Sequence, residues 1–231
     1  NIIIRVNELR KELPTMEKYV VVLDTETTNS IDDPLCYDIG YAVVEPIENK
    51  VILQRSFVVA DIFLDKDLMS FAYFIDKVPM YWEEIKNGKR ELKKLSTIHK
   101  IMREDFRTFG IKEVFAHNAR FDYRSTNLTQ RFITCSKYRF FFPYGTKICD
   151  TLKMSRELLS DDVNYNDYCR KHGFVTKNNK PQFTAEVLYR YIHKDENFTE
   201  SHTALEDVLI EKDILHYCLE NSENLTMGLW E

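Results

Sequence analysis

An unbroken apolar run near the start of the chain restricts the folds that it can adopt. Residues 19–23 read Tyr-Val-Val-Val-Leu, and this β-branched stretch predicts a buried strand. Strand-like segments at 39–44 and 51–59 follow, joined by a short polar connection whose length is typical of an antiparallel meander. We therefore expect a fold that is built around a sheet.

Helical periodicity dominates the rest of the chain. Residues 90–109 carry apolar side chains at three- and four-residue steps and end at Gly110, which predicts a long amphipathic helix. Short strands are predicted at 111–116 and 146–151, and further helices at 151–159, 164–172, 184–193 and 203–219. This order of elements predicts an α/β fold with a mixed five-stranded sheet flanked by helices.

The composition is that of one globular domain. The chain has 231 residues, of which 44% are hydrophobic, and it is long enough to bury a sizeable core. We expect an N-terminal extension at 1–17, a single domain at 18–220 and a C-terminal tail at 221–231. The tail either docks a partner or packs back on its own core.

The sequence also indicates the cellular compartment and whether the chain spans a membrane. Every apolar run is too short to span a bilayer, no signal peptide is recognisable, and the five cysteines form no Cys-x-x-Cys pair. These features predict a soluble cytoplasmic protein in a reducing compartment, with no membrane partner.

The net charge argues mildly against a nucleic-acid partner, whereas its distribution favours one. Lys and Arg number 32 and Asp and Glu 37, which gives a net charge of −5. Residues 123–149 contain no acid and interleave basic with aromatic side chains, a pattern that suits single-strand binding. Lys137 and Arg139 are the candidate contacts, although the aromatic residues would equally pack an inserted loop on the core. A second acid-free segment, 168–185, is either a phosphate contact or a solvated turn.

Carboxylates follow two of the predicted strands. Asp24 and Glu26 come where the first strand ends, and two-residue alternation places both on the same side. Two such groups repel each other unless a cation lies between them, and the alternative is a solvated strand end. Asp122 opens the helix after the fourth strand, where it would also complement the helix dipole.

A histidine and an acid mark the start of the last long helix. His202 and Asp207 lie in His-Thr-Ala-Leu-Glu-Asp, a pattern that chance seldom produces. Positions five apart on a helix point about 140° apart, so we expect His202 in the preceding loop, folded back over Asp207. Glu206 is predicted to be solvated.

Together these motifs resemble those of the DEDDh, or DnaQ-like, 3′–5′ exonucleases. Asp24 and Glu26 lie in Val-Val-Leu-Asp-Thr-Glu-Thr-Thr, Asp122 lies in His-Asn-Ala-Arg-Phe-Asp, and His202 with Asp207 completes the set in the family's order. The resemblance covers nearly the whole chain and implies an RNase H-like fold.

The resemblance also implies a two-metal mechanism. Two Mg²⁺ or Mn²⁺ ions about 3.5–4 Å apart would activate a water and stabilise the leaving oxygen of a phosphodiester. Asp24 would bridge both ions, Glu26 and Asp207 would complete one of them, and Asp122 would help to hold the second. His202 would take the proton of the attacking water.

The implied substrate is the 3′ end of a nucleic acid. Thr27, Asn118 and Phe121 would surround the terminal nucleotide, which would leave as a nucleoside 5′-monophosphate. We expect DNA with single-stranded or frayed ends, in replication or repair, with a polymerase or another repair protein as a candidate partner. The alternatives are an RNA exonuclease, RNase T-like or oligoribonuclease-like, and an inactive nucleic-acid-binding module. The inactive module is disfavoured because all four carboxylates and the histidine are present.

Overall fold

The computed structural model describes residues 17–136, 139–222 and 224–229, which form one central sheet with helices on both faces. The strands are β1 Val20–Thr28, β2 Leu35–Glu45, β3 Lys50–Val59, β4 Glu91–Lys93, β5 Glu113–Ala116 and β6 Lys147–Asp150. The helices are α1 Ala60–Phe63, α2 Lys66–Met69, α3 Val78–Lys86, α4 Leu95–Phe109, α5 Ala119–Thr134, α6 Thr151–Leu159, α7 Val163–His172, α8 Ala185–His193 and α9 Ala204–Asn221. A 3₁₀ turn, Ile75–Lys77, precedes α3.

The sheet is mixed and its strands lie in the order β4-β3-β2-β1-β5-β6. β1, β2 and β3 form the predicted antiparallel meander. β5 pairs parallel with β1, β6 pairs parallel with β5, and β4 pairs parallel with β3. The α/β class with a mixed sheet is confirmed, but the described part of the chain has six strands where the sequence predicts five.

The additional strand lies where the sequence predicts the start of a helix. Glu91–Lys93 forms β4 at the edge of the sheet, and α4 begins only at Leu95. The predicted helix over 90–109 was therefore wrong in its first turn. Three residues are too few to show strand alternation, and the helix start is fixed by a residue distant in sequence. The Leu95 N–H donates to Asp61 Oδ2 at 2.7 Å.

Two apolar cores cover the two faces of the sheet. One packs α4, α5 and the helices of 60–86 against the first face, and the other packs α6 to α9 against the second. β1 contributes to both because its successive side chains point to opposite faces. Val21 and Leu23 belong to the first core, and Val20 and Val22 to the second. Residues 24 and 26 continue the second series and therefore face α6 to α9.

The described part of the C-terminal tail packs back on the sheet. The Asp150 N–H donates to the Met227 carbonyl at 3.0 Å, and the Leu229 N–H donates to the Ile148 carbonyl at 2.8 Å. Residues 224–229 therefore cover the outer edge of β6. The described tail segment thus packs back on its own domain, which was one of the two roles predicted for it.

The remaining domain predictions fall largely outside the described residues, since the expected N-terminal extension, 1–17, is described only at Glu17. Within the described ranges, none of the helices combines the length and the apolar character that crossing a membrane requires.

Candidate active site

The two acids of β1 meet an acid of α9 on the second face of the sheet. Asp24, Glu26 and Asp207 each offer one carboxylate oxygen, and these three oxygens lie within 4.8 Å of one another. Asp24 and Glu26 lie inside β1, which runs on to Thr28, so the strand continues past the point predicted from its apolar run. Strand alternation places Asp24 and Glu26 on the face of the sheet that α9 crosses. The structure therefore brings the acids of β1 close to Asp207 of α9.

A glycine allows α9 to approach the sheet at this point. Gly40 of β2 is the register partner of Asp24. A Cβ at Gly40 would lie 2.5 Å from the Ala204 carbonyl carbon and 2.7 Å from Leu205 Cα. Any larger residue would therefore displace the first turn of α9, which carries Asp207, away from Asp24.

Asp122, on the first turn of α5, adjoins the group formed by Asp24, Glu26 and Asp207 from the opposite face of β1. It is buried, and its Oδ1 accepts a 2.8 Å hydrogen bond from Thr25 Oγ1, which points to the opposite face of β1 from Asp24. Asp122 is close enough to Asp24 for its charge to raise the pKa of that carboxyl group. All four predicted carboxylates thus lie around one end of β1.

The protein raises the pKa of each of these four acids. Burial, followed by the charges of neighbouring carboxylates, holds the pKa of Asp24 well above its usual value. Burial also raises the pKa of Glu26 to about 9, of Asp122 to about 7 and of Asp207 to about 8. Asp207 Oδ1 is buried and has no hydrogen-bond partner among the described residues. Hard oxygen ligands that repel one another and include an unsatisfied oxygen fit a divalent cation.

His202 lies in the loop before α9, as predicted, and turns back towards Asp207. The residue has a positive φ of 50°, and its imidazole stacks on the Phe74 ring with the centroids 4.8 Å apart. The Lys77 Nζ donates to the His202 carbonyl at 2.9 Å and also to the Ser201 carbonyl. Partial burial and the Lys77 charge lower the pKa of His202, so the imidazole is neutral near pH 7.

The sequence reasoning missed a fifth acid. Glu211 is buried, and its Oε2 accepts a 3.1 Å hydrogen bond from the His117 N–H. Its charge raises the pKa of Asp24, and burial holds its own pKa well above the usual value. Glu211 follows Asp207 by four residues, so helical periodicity would have placed both on one face of α9.

The prediction that Glu206 is solvated was wrong. Glu206 Oε2 accepts from Arg90 Nη2 at 2.8 Å, and Arg90 Nη1 donates to Asp38 Oδ2 at 3.1 Å. Although burial opposes its ionisation, hydrogen bonds from Lys89 and Thr203 help to lower the pKa of Glu206 to about 2. The cations that pair with Glu206, Lys89 and Arg90, come from the segment before β4, which helix periodicity does not reveal.

A cleft of about 1110 Å³ opens on the acids and extends towards basic side chains. Asp24 and Glu211 lie at its inner end, and α6, α7 and the loop before α8 form the other wall. The basic residues that line it are Arg156, Arg170 and Lys180. Two of them belong to the acid-free segment 168–185, which the sequence left open between a phosphate contact and a solvated turn.

The predicted substrate contacts are distributed unevenly around this cleft. Asn118 is exposed and lines it, and its N–H donates to Asp150 Oδ1 at 3.1 Å. Thr27 and Phe121 are partly exposed but do not line the cleft. Arg139 lies on another surface near His99, where burial and then the charges of Arg103 and Arg139 lower the pKa of the imidazole. Lys137 lies outside the described residues.

Several solved structures with a similar fold are nucleases. The nuclease domain of 3′hExo, described as a DEDDh family member bound to rAMP, superposes with a TM-score of 0.60 at 11% identity, over 93% of this chain and 98% of that one. The chain has the DEDDh exonuclease fold. The RNase H-like architecture expected from the motifs is thereby confirmed.

Two further structures share this fold and contain DNA. Exonuclease X in complex with 5′ overhanging duplex DNA gives a TM-score of 0.50 at 16% identity, over 88% of this chain and 92% of that one. E. coli exonuclease I in complex with an oligonucleotide gives 0.52 at 13% identity, over 86% of this chain and 39% of that one. No protein-family model matches the sequence, and a search of curated proteins found no match.

Proposed function

We propose that this protein is a metal-dependent 3′–5′ exonuclease that hydrolyses the 3′-terminal phosphodiester of DNA and releases nucleoside 5′-monophosphates. The observation that carries the proposal is the convergence of Asp24, Glu26 and Asp207 on one point of a DEDDh exonuclease fold. Asp122 lies beneath these three and His202 lies beside Asp207. This grouping of four carboxylates and a histidine supports a nuclease site at this end of β1.

The carboxylates are suited to two divalent cations. Asp24, Glu26 and Asp207 would hold one ion, and Asp24 with Asp122 would hold the second. When bound, Mg²⁺ or Mn²⁺ would supply the positive charge that activates a water and stabilises the leaving oxygen. The raised pKa values of the four acids support this proposal, because a cation at the site would replace the protons that they otherwise retain.

His202 is suited to accept the proton of the attacking water. Its side chain is 43% exposed, so a substrate-bound water can reach it. Its lowered pKa keeps the imidazole neutral, which a general base requires. The contacts of Phe74 and Lys77 hold the ring and the backbone of His202 in one position.

The cleft supports a polyanionic substrate. Its inner end is acidic and would carry the metal ions, while Arg156, Arg170 and Lys180 line its outer part. A strand whose terminal phosphate lies at the acids would place its upstream phosphates along this basic wall. We therefore assign the phosphate contacts to this cleft in preference to Arg139.

Exposed aromatic side chains beside His202 support unpaired bases. Tyr73 is 86% exposed and packs edge-on against Phe74, the residue that stacks on His202. Phe71 is 68% exposed on the same segment. Aromatic rings stack on any unpaired base, so a single-stranded or frayed 3′ end is the preferred substrate.

RNA is the second candidate substrate. The similar nuclease domain of 3′hExo was solved bound to rAMP, and another structure with this fold concerns the recognition of a histone mRNA stem-loop by a 3′-exonuclease. Exonuclease X and exonuclease I were solved with DNA or oligonucleotides. A role in replication or repair, with a polymerase as partner, stays a prediction.

One assay tests the proposal. The protein is incubated with 5′-labelled single-stranded DNA, with matched and mismatched primer-templates and with RNA of the same sequence, each with Mg²⁺, Mn²⁺ or EDTA. We expect stepwise shortening from the 3′ end of DNA, fastest on single strands and mismatches, and none in EDTA. Faster cleavage of RNA would transfer the proposal to the second candidate.

A matched pair of variants checks the site. Asp24→Asn should abolish cleavage while circular dichroism shows an intact fold, because the amide cannot neutralise a bridging cation. Asp32→Asn makes the same change at an exposed acid of the β1–β2 loop and should keep the wild-type rate. Full activity of Asp24→Asn would contradict the proposed site.

A further inference from the structure

A second set of metal ligands adjoins the carboxylates of β1. Glu200, His202 and Asp207 each offer one ligand atom, and these three atoms lie within 4.8 Å of one another. The His202 Nδ1 lies 3.8 Å from Glu200 Oε2. Asp207 belongs to this set and also to the set formed with Asp24 and Glu26. The two sets differ in chemistry, because the set on β1 has only oxygen ligands and the adjoining set includes an imidazole nitrogen.

The ligands of the second set are held in place by other contacts. The Glu200 N–H donates to Glu186 Oε2 at 2.9 Å, and Glu186 in turn forms a 2.7 Å ion pair with Arg190. The backbone of His202 is fixed by the hydrogen bond from Lys77 to its carbonyl. These contacts fix the backbones of Glu200 and His202, and the ligand atoms of both residues already lie within 4.8 Å of an Asp207 oxygen.

An unsatisfied oxygen points to a ligand at this place. Asp207 is only 4% exposed, and its Oδ1 lacks a hydrogen-bond partner within the part of the chain that the structure describes. A buried carboxylate oxygen without a partner is costly unless a cation or a proton satisfies it. The nearby Lys77 ammonium donates to the carbonyls of Ser201 and His202 and does not satisfy this oxygen.

We infer that Zn²⁺ binds to Glu200, His202 and Asp207 and inhibits the proposed nuclease. Zn²⁺ accepts imidazole nitrogen and carboxylate oxygen, commonly with three protein ligands and a water. The same ligands bind Zn²⁺ more tightly than Mn²⁺, and Mg²⁺ prefers all-oxygen surroundings. Zn²⁺ at this site would occupy the imidazole that accepts the proton and would withdraw Asp207 from the all-oxygen set. The inhibition rests on the proposed function, whereas the binding of zinc does not.

Calorimetry tests the binding without any substrate. Zn²⁺ is titrated into the full chain in the presence of Mg²⁺, which binds Asp24 and Glu26 and competes with Zn²⁺ for the shared Asp207. We expect one tight site whose affinity falls at least tenfold in Glu200→Gln and in His202→Ala. Glu196→Gln makes the same change on an exposed acid of the same loop and should bind Zn²⁺ like the wild type. Circular dichroism of each variant checks that it is folded.

The nuclease assay tests the consequence. Each protein's rate with Mg²⁺ and added Zn²⁺ is divided by its own rate without Zn²⁺. We expect half-inhibition of Glu200→Gln to need at least tenfold more Zn²⁺ than half-inhibition of the wild type. Equal zinc affinity of the wild type and Glu200→Gln would overturn the inference. If no protein cleaves nucleic acid, the proposed function fails while the calorimetric result still decides the zinc site.

Discussion

Replacement of Gly40 by alanine tests whether the approach of α9 to the sheet builds the site. The new Cβ would lie 2.5 Å from the Ala204 carbonyl carbon, whereas ordinary contact begins at 3.4 Å. The first turn of α9 must therefore move by about 0.9 Å, the difference between these two distances. The three nearest atoms, Leu205 N, the Ala204 carbonyl carbon and Leu205 Cα, all belong to the backbone, so no side-chain rotation can relieve the overlap.

The displacement has two expected effects. Overpacking of this kind lowers the free energy of unfolding by about 1–3 kcal/mol. A misplacement of about 1 Å at a catalytic group also lowers the rate by about 10²-fold. Asp207 moves away from Asp24, so the affinity for Mn²⁺ should fall together with the rate. Urea denaturation, calorimetric titration with Mn²⁺ and the cleavage assay measure the three quantities.

A neighbouring substitution separates lost stability from lost geometry. Tyr41→Phe removes the 2.7 Å hydrogen bond from the Tyr41 hydroxyl to Asp105 on the other face of the sheet. That change should lower the free energy of unfolding by about 1 kcal/mol and leave the rate and the Mn²⁺ affinity unchanged. Wild-type stability and Mn²⁺ affinity in Gly40→Ala would refute the steric argument.

Three further predictions follow from the same contacts. Arg90→Met should lower the free energy of unfolding by about 3–5 kcal/mol in urea denaturation, because it leaves Asp38 buried without its cation; a loss below 1 kcal/mol would contradict the role of this ion pair. In the metal-free protein, burial raises the pKa values of Glu26, Asp122 and Asp207 to about 9, 7 and 8, above those of an unfolded chain. The melting temperature should therefore fall between pH 5 and pH 9, and Mg²⁺ should raise the melting temperature more at pH 8 than at pH 6. An equal effect of Mg²⁺ at both pH values would count against the raised pKa values. If the cleft holds the nucleic-acid strand, Arg170→Ala should raise KM several-fold, reduce the salt dependence of KM and leave kcat nearly unchanged. An unchanged KM would show that Arg170 does not contact the phosphates.

Much of the fold follows from local patterns in the sequence. The run before Asp24 identifies the central strand, and helical periodicity places α6 to α9 within two residues of their observed bounds. β4 was missed because an edge strand of three residues is defined by its partner β3 and not by its own pattern. Residues 60–86 form short helices whose apolar side chains reach the core of the first face, and no long period marks them in the sequence.

In the candidate site, too, some features follow from local sequence patterns and others depend on tertiary packing. The alternation of β1 determines that Asp24 and Glu26 share a side. His202 lies in the loop before α9 and Asp207 in its first turn, as the sequence indicates. Basic residues illustrate the opposite case. The segment around Arg139 has the stronger charge pattern, yet the cleft that opens on the acids is lined by Arg170 and its neighbours. Charge along a chain does not specify which surface a loop covers, because that depends on how the loop packs.

The identity and the order of the reactive groups follow from the amino-acid sequence, because strand alternation and helix periodicity act between residues close along the chain. How these groups meet depends on long-range packing. Gly40 lets α9 lie against β1, and Arg90 links that helix to β2 through Glu206 and Asp38. Glu211 joins the acids because α9 turns it towards them at the same contact. Such contacts join residues far apart in sequence, and the burial that sets the pKa of each acid exists only after the two faces of the sheet are covered.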